Sequence, residues 1–385
     1  MTIKLTPDIG KNFCYAPWTN IHINTMGDYK TCCAGKTVLG NLKHEGIDDA
    51  ITLHNLLNIK TAILNNQEHP NCDVCIKQED HSSRSEREWY NDIAENADIV
   101  INDINAQSTQ NLDIRWSNTC NLSCTYCGKE ASSIWAQLTG DRKEKPDYGH
   151  NLSKIMEYID SQKTTIKNLG LLGGEPLLQK ENEVLLNHIS DDIHVNVITN
   201  LSMPLEKNKI FNRLVAMNNV TWDISFETIG DRFEYVRRGA SWATMLKNIR
   251  FLKDAVSDKN GHNIGITGQY SVYNCLNLSE VYESMLDNNL PYMVLSELIY
   301  PHILSVASLP THLLRVAANE SLKSMKYATT QSQRSFLKGQ YDSMTTGIND
   351  SGNIEALYEF HRTQERNYWP NAPLTFEKLW ADFRQ

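Results

Sequence analysis

The 385-residue sequence has no long apolar run, no long cationic run and no pair of histidines at metal-ligand spacing. A helix that crosses a bilayer needs roughly 20 consecutive apolar residues, so the first absence argues against a membrane protein. The N-terminal segment MTIKLTPDIGKNF has no apolar core of the signal-peptide kind, which predicts a protein that is not secreted. We therefore expect a cytoplasmic protein without a membrane partner.

The absence of a cationic run also bears on nucleic acids. The formal net charge is −9, whereas proteins that bind a phosphate backbone usually present a basic surface. The nearest candidate, DRKEKP at 141–146, mixes both signs and is typical of a solvated loop. This charge balance argues against a nucleic-acid partner.

Cysteine is the residue type that is present in an informative pattern. Nine cysteines in a protein of a reducing compartment are expected to be thiols or metal ligands. They fall into an N-terminal set, a central set and the single Cys275. The N-terminal set is Cys14, Cys32, Cys33, Cys72 and Cys75, and the central set is Cys120, Cys124 and Cys127.

The central set has the string CNLSCTYC, which supplies three thiolates and leaves a fourth position open. A structural zinc site normally closes with four protein ligands. A cubane iron–sulfur cluster held by three cysteines keeps one iron open to a small molecule. The spacing therefore favours a reactive cluster, with a zinc knuckle as the alternative.

Strands and helices alternate from Asn111 to Leu298. Six strand–helix units predict parallel strands, in an α/β fold that forms a partial (β/α)6 TIM-type barrel. The central cysteines and the other candidate site residues then follow the carboxyl ends of strands, where such barrels place their catalytic residues. We expect a cysteine-rich cluster-binding domain at 1–105, the barrel at 106–300 and a helical extension at 301–385.

Two strings together resemble the radical S-adenosylmethionine (SAM) enzymes. CNLSCTYC follows the first predicted strand of the barrel, and GGEP at Gly173–Pro176 follows the second. In that family three cysteines hold a [4Fe–4S] cluster whose open iron chelates SAM. Reduction cleaves the sulfonium and yields a 5′-deoxyadenosyl radical, which abstracts a substrate hydrogen atom. The resemblance implies an electron donor such as flavodoxin or ferredoxin.

The resemblance also implies SAM-binding residues. Tyr126 matches the aromatic position near the adenine, and Glu175 matches the residue that accepts from the methionyl ammonium. Arg237 is favoured over Arg238 for the SAM carboxylate by its spacing. The remaining positions at or after strand ends are Gly173, Gly174, Thr199, Asn200, Ser225, Glu227, Ser271 and Asn274.

The N-terminal cysteines resemble a different iron–sulfur unit. Cys14, Gly27 and Cys32 are followed by the pair Cys72 and Cys75, a pattern similar to the auxiliary SPASM and twitch modules. Those modules usually follow the barrel, whereas this set precedes it. The implied ligands of a second [4Fe–4S] cluster are these four cysteines, with Cys33 spare, and a tetrathiolate zinc site is the alternative.

The resemblance points to a reaction class without naming the substrate. Relatives with auxiliary modules often modify peptides or protein side chains, and a partial barrel leaves an open side for such a substrate. The alternative is a redox-neutral isomerase, an epimerase or an oxidase of a nucleotide- or sugar-type substrate. A zinc-stabilised binding protein without catalysis is the non-enzyme alternative.

Overall fold

One sheet organises the molecule. The computed structural model describes residues 10–48, 54–80, 85–96, 104–105, 107–141, 148–346 and 352–384. Their strands are β1 Asn20–Ile23, β2 Asp28–Lys30, β3 Gly40–Asn41, β4 Asn111–Ile114, β5 Asn168–Leu171, β6 His194–Thr199, β7 Val220–Ser225, β8 His262–Tyr270 and β9 Met293–Glu297. The strand order is β3-β2-β1-β4-β5-β6-β7-β8-β9.

Strands β4 to β9 pair in parallel with one another, each with the next along the chain. This confirms the predicted α/β fold with six parallel strands. Helices connect the strands, because parallel neighbours need a crossover of a dozen or more residues. All carboxyl ends of these strands therefore lie along one edge of the sheet.

Helices lie between the strands along the chain and continue after β9. They are α1 Ala16–Thr19, α2 His54–Leu64, α3 Asp73–Asp80, α4 Glu86–Asn96, α5 Ser133–Leu138, α6 Tyr148–Ser161, α7 Lys180–His188, α8 Lys209–Ala216, α9 Gly230–Val236, α10 Trp242–Ala255, α11 Leu278–Asp287, α12 Thr311–Ser324, α13 Gln331–Thr345, α14 Ile354–Tyr368 and α15 Phe376–Leu379. The described part of the C-terminal extension is helical, as predicted. Residues 97–103, just before the expected boundary between the first two domains, lie outside the described residues.

The N-terminal hairpin extends the barrel sheet. β1 and β2 are antiparallel across a turn in which Gly27 has a φ of +79°, a conformation that suits glycine. β1 also pairs in parallel with β4, with Ile21 beside Leu112. The first cysteine set is therefore attached directly to the first strand of the barrel.

One local prediction was wrong and another is confirmed only in position. The string IGITGQYSVY predicts a fifth barrel strand over Ile264–Tyr273, whereas β8 ends at Tyr270, because Asn274 Oδ1 accepts from the N–H of Ser271 at 3.0 Å and forms a turn. The sequence also predicts Ser241 as a helix N-cap, and it does occupy the N-cap position of α10, although its hydroxyl makes no capping bond. Glu234 accepts from the N–H of Trp242 instead, at 2.9 Å.

The two faces of the sheet differ in polarity. In β7 the buried residues Val220, Trp222 and Ile224 alternate with half-buried Thr221, Asp223 and Ser225. The apolar set packs against the helices, so the polar set faces the interior of the partial barrel. The inner-face side chains Ile198 and Val294 are 36% and 54% exposed, so solvent reaches this interior.

Two expectations from composition concerned membrane-spanning helices and the state of the cysteines. Across the described ranges, no helix combines the length and apolar character that a membrane crossing requires. All nine cysteines are free, in agreement with the expectation of thiols or metal ligands.

Candidate metal centres and cofactor site

The central cysteines lie in the loop after β4, at the carboxyl edge of the sheet. The N–H of Cys127 donates to the carbonyl of Cys124 at 3.0 Å and closes a tight turn. A hydrogen bond between the two thiols lowers the pKa of Cys127. Asn200 Nδ2 lies 3.8 Å from Cys120 Sγ. The turn thus brings Cys124 and Cys127 side by side, as a shared cluster requires.

The GGEP segment supports the start of this loop through backbone hydrogen bonds. The N–H of Gly174 donates to Ser117 O at 3.1 Å, and the N–H of Glu175 donates to Thr119 O at 2.8 Å. A Cβ atom at Gly174 would lie 2.2 Å from Thr119 O, so the close approach requires glycine. Gly173 has a φ of +121°, which also favours glycine. Both glycines shape the cluster loop.

The segment at the end of α9, which contains Val236 and Arg238, also supports the loop. The N–H groups of Ser123 and Thr125 donate to the carbonyls of Arg238 and Val236, at 3.0 and 2.9 Å. The loop is therefore pinned along its length by backbone hydrogen bonds. Such bonds fix the direction of the cysteine side chains without depending on the cluster.

Glu175 is fully buried at the end of β5. Its Oε1 accepts from Leu177 N at 3.1 Å and from Thr199 Oγ1 at 2.7 Å, and its Oε2 accepts from Asn200 N at 2.8 Å. Burial raises the pKa of Glu175 from 4.5 to about 7, against these hydrogen bonds. A carboxylate has about four acceptor sites, so one remains on Oε2. A ligand ammonium is a suitable partner for that site.

Glu227 and Arg237 form a buried ion pair next to the cysteine loop. Arg237 Nε and Nη2 donate to the two carboxylate oxygens of Glu227, at 2.9 and 2.7 Å. Tyr126 also donates its hydroxyl to Glu227 Oε1 at 2.9 Å, and the Arg237 guanidinium lies 5.8 Å from the Tyr126 ring centre. The structure thus joins three residues that the sequence assigned separately to SAM.

The other predicted cofactor residues occupy less uniform positions. Thr199 and Asn200 reach Glu175, as described above. Ser225 ends β7, half-buried on the inner face. Ser271 and Asn274 lie in the turn after β8, where Asn274 Nδ2 donates to the carbonyls of Glu227 and Gln269 at 3.0 and 2.9 Å. The Asn274 amide therefore holds the backbone of Glu227.

The four predicted auxiliary ligands meet at one place. Cys14, Cys32, Cys72 and Cys75 line a single small cavity between the N-terminal hairpin, α3 and α4. Cys33 does not line this cavity. Over the described residues, no three His, Cys, Asp or Glu side chains are close enough to hold a single metal ion.

Three residues that the sequence analysis missed also line this cavity: Glu86, Arg87 and Tyr90 at the start of α4. Arg87 Nε donates to Glu79 Oε1 at 2.9 Å, and its backbone N–H hydrogen-bonds the Cys75 thiol. Tyr90 donates its hydroxyl to Asp113 of β4 at 2.9 Å. Their segment, SEREWYND, has no recognisable ligand spacing, so its position became apparent only from the fold.

A second, larger cavity opens beside the central cysteines. It has a volume of about 740 Å³ and lies between the loop that contains Cys127, the segment after β9 at Ile303, and α14. Its walls include Trp135, Phe360 and Tyr368, with polar side chains of α14 at the rim. Tyr368, at the end of α14, therefore brings the C-terminal extension to the wall of this cavity.

The fold and the site define an α/β partial barrel with two separate cysteine sets. Residues 114–271 match the family model of the Radical SAM superfamily. Residues 14–76 match that of SPASM, an iron–sulfur cluster-binding domain. The chain therefore carries a radical SAM domain, with a SPASM domain on its N-terminal side.

Individual proteins are similar over shorter stretches. The 7-carboxy-7-deazaguanine synthase of Clostridium acetobutylicum is 38% identical over 92 residues, which are 23% of this chain and 36% of that protein. A probable GTP 3′,8-cyclase of Pyrococcus abyssi is 33% identical over 79 residues, 20% of this chain and 22% of that protein. The chain thus spans about a third or less of these curated relatives.

Among solved structures, Streptococcus suis SuiB bound to its precursor peptide SuiA is similar at 13% identity and a TM-score of 0.42. That alignment covers 87% of this chain and 78% of SuiB.

The residues present fit the groups that the two domains imply. The radical SAM domain implies a [4Fe–4S] cluster and SAM. Three loop thiols beside a buried carboxylate with a spare acceptor site suit them. The SPASM domain implies an auxiliary iron–sulfur cluster, and four thiols around one cavity suit it. These matches favour an iron–sulfur cluster over zinc at both sites.

Proposed function

We propose that the chain cleaves SAM reductively and uses the resulting radical to abstract hydrogen from a peptide or protein side chain. The observation that carries this proposal is the open cavity of about 740 Å³ that reaches Cys127. It falls within the usual range of ligand sites and opens to solvent along α14. A side chain presented by a larger molecule can enter it while the rest stays outside.

The residues of the chain have distinct parts in this proposal. Cys120, Cys124 and Cys127 hold the first cluster, which supplies one-electron cleavage of SAM when it is bound. Glu175 accepts from the SAM ammonium through its remaining acceptor site on Oε2. Tyr126 offers an aromatic face at the adenine, and the Arg237 N–H groups that do not bind Glu227 are donors for the SAM carboxylate.

The remaining predicted positions support the same ligand. Gly173 and Gly174 let the backbone approach it, and Thr199 and Asn200 orient Glu175. Ser225 and Ser271 remain candidates for the ribose, while Asn274 fixes the backbone of Glu227. An external reductant, for which a flavodoxin or ferredoxin is the expected class, supplies the electron. The presence of free thiols supports a cytoplasmic location.

Cys14, Cys32, Cys72 and Cys75 are proposed to hold the auxiliary cluster. Four thiolates leave no open coordination position on a cubane, so this site suits electron transfer or structural support better than substrate binding. The hydrogen bond from Tyr90 to Asp113 ties this site to the first barrel strand. We propose that the chain has three domains, which cover residues 1–105, 106–300 and 301–385.

Deuterium transfer tests the substrate class. An extract of the source cells grown in deuterated medium is divided by ultrafiltration into macromolecular and small-molecule fractions. Each fraction is incubated with the reduced enzyme and unlabelled SAM, and 5′-deoxyadenosine is analysed by mass spectrometry. The proposal predicts deuterium in 5′-deoxyadenosine from the macromolecular fraction, and label from the small-molecule fraction alone would contradict it.

A nucleotide- or sugar-type small substrate is the second candidate, with an isomerisation, epimerisation or oxidation as the reaction. Two observations favour it: the inner face of the barrel carries polar side chains such as Asp223 and Ser225, and the names of the two curated relatives concern a deazaguanine and GTP. The same deuterium experiment separates this candidate from the first.

A further inference from the structure

The C-terminal extension contacts the cluster loop through an aromatic side chain. Trp369, directly after α14, lies edge-on to Trp135, with ring centroids 5.2 Å apart and an interplanar angle of 74°. Buried Trp135 in turn donates its Nε1 hydrogen to the carbonyl oxygen of Cys124 at 2.8 Å. One ring contact therefore connects the extension to a donor on the backbone of a cluster ligand.

The same indole contacts a second support of the loop. The Arg238 guanidinium carbon lies 4.8 Å from the Trp369 ring centre and 4.2 Å from that of Tyr235, so this buried cation is held between two aromatic faces. The carbonyl of Arg238 accepts from the N–H of Ser123 within the cluster loop. Trp369 thus contacts both Trp135 and Arg238, and each of these residues is hydrogen-bonded to the cluster loop.

The segment around Trp369 is itself well anchored to the barrel. Glu365 Oε1 accepts from the Tyr235 hydroxyl at 2.8 Å and from the N–H of Phe376 at 2.7 Å. Arg232 Nε donates to Leu379 O at 2.9 Å. These contacts fix the end of α14 against α9, so the position of the indole is determined by the fold.

We propose that Trp369 is a positioning residue for the cluster of Cys120, Cys124 and Cys127, acting through Trp135 and Arg238. The inference rests on the proposed function, because it assumes that this cluster is bound. Partners that orient metal ligands typically change metal affinity by about 10–100-fold when they are removed. Without the indole, Trp135 and Arg238 lose the surface that holds them against the loop.

Iron release measures this effect directly. The anaerobically loaded full chain is mixed with a ferrous chelator, and the rates are compared for wild type, Trp369→Ala and Asn367→Ala. Asn367 lies two residues earlier on α14, is exposed and lines the large cavity. We expect Trp369→Ala to release about half of its iron at least about tenfold faster, and Asn367→Ala to match wild type.

A spectroscopic readout identifies which cluster is affected. Only a cluster with an open iron changes its electron paramagnetic resonance spectrum when SAM is added to the reduced protein. That SAM-dependent change should weaken in Trp369→Ala and return in Trp369→Phe, which keeps an aromatic ring. Unchanged release and an unchanged SAM response in Trp369→Ala would overturn the inference.

Two further outcomes are separable. A wild-type protein without any SAM-dependent change would contradict the proposed function itself. If Trp369→Ala loses all iron together with its circular dichroism signal, Arg238→Lys decides the matter, because it keeps the charge but not the planar stacking. Faster release from the SAM-responsive cluster in that variant supports the inference, and a wild-type rate overturns it.

Discussion

Four ionisable side chains are almost fully buried around the cysteine loop: Glu175, Glu227, Arg237 and Arg238. Isolated buried charges are expensive, so each needs a partner or a changed protonation state. Glu227 and Arg237 neutralise each other. The groups that donate hydrogen bonds to Glu175 are all neutral, so its carboxylate can still pair with a cationic ligand group.

The first prediction concerns pH and Glu175. Because burial raises its pKa to about 7, the folded protein holds an extra proton between about pH 4.5 and about pH 7. In the ligand-free protein, the contribution of Glu175 to the free energy of unfolding therefore falls as pH rises across that window. Above the window the carboxylate is charged, so SAM affinity should rise from about pH 6 to about pH 8.

Glu175→Gln is the matched variant for that measurement. It keeps the shape of the side chain but not the charge, and should bind SAM at least about tenfold more weakly at about pH 8, because a charge-assisted hydrogen bond is lost. Equilibrium dialysis of SAM against the loaded protein measures both effects. An identical pH dependence in wild type and Glu175→Gln would contradict the assignment.

The second prediction concerns the buried ion pair. Arg237→Ala leaves Glu227, which is 1% exposed, without its counter-ion. Removing one partner of a buried pair typically costs about 3–5 kcal/mol of unfolding free energy. Denaturant titration under anaerobic conditions should show this loss. Lys247→Ala, at the exposed pair with Glu206, is the control and should leave the unfolding midpoint unchanged; equal effects at the two sites would refute the argument.

At the scale of elements, the GGEP segment and the cysteine loop behave as one unit. The third prediction is that Gly174→Ala displaces the loop, since the new Cβ would lie 2.2 Å from Thr119 O. We expect about four iron atoms per chain instead of about eight, with the SAM-dependent spectrum lost. Iron analysis of the anaerobically purified protein makes the measurement.

Gly128→Ala is the control for that substitution. Gly128 directly follows Cys127, but its Cβ would meet only the flexible end of Glu130, at 3.0 Å. It should retain the iron content of wild type. Full iron content in Gly174→Ala would show that the close approach is dispensable.

The elements were largely predictable from the sequence, because alternating apolar patterns and turn residues are local signals. The strand over Val220–Ser225 illustrates this, since its buried and half-buried residues alternate throughout. Helix and strand ends were less accurate where a side chain intervened. Asn274 ended β8 and Glu234 replaced Ser241 at a helix start, and neither contact follows from local pattern.

At the scale of the whole molecule, the order of the domains is the unusual feature. The SPASM domain precedes the barrel, and its β1 strand joins the barrel sheet beside β4. The auxiliary site is therefore coupled to the barrel by a shared sheet and by the Tyr90–Asp113 hydrogen bond. These two connections hold the two cysteine sets at a defined separation.

The fourth prediction separates the two cysteine sets by function. Cys72→Ala should lower iron to about four atoms per chain while reductive SAM cleavage persists at least in part. Cys33→Ala is the matched control, because Cys33 does not line the auxiliary cavity. It should keep about eight iron atoms. Loss of iron in Cys33→Ala, or loss of SAM cleavage in a folded Cys72→Ala protein, would argue against this division.

The tertiary parts of the site were beyond the reach of the sequence. The ligand strings identified both cysteine sets, because their spacing is short and specific. The ion pair of Glu227 and Arg237, the cavity along α14 and the contacts of Trp369 depend on packing between distant segments. No local spacing encodes such contacts, so the fold was needed to find them.

The central claim is that three thiols hold a cluster with an open iron that cleaves SAM. It is tested most directly by incubating the anaerobically purified chain with dithionite and SAM and measuring 5′-deoxyadenosine. We predict that the product forms with wild type and not with Cys124→Ala. A colourless, iron-free wild-type protein that forms no 5′-deoxyadenosine after cluster reconstitution would contradict the claim.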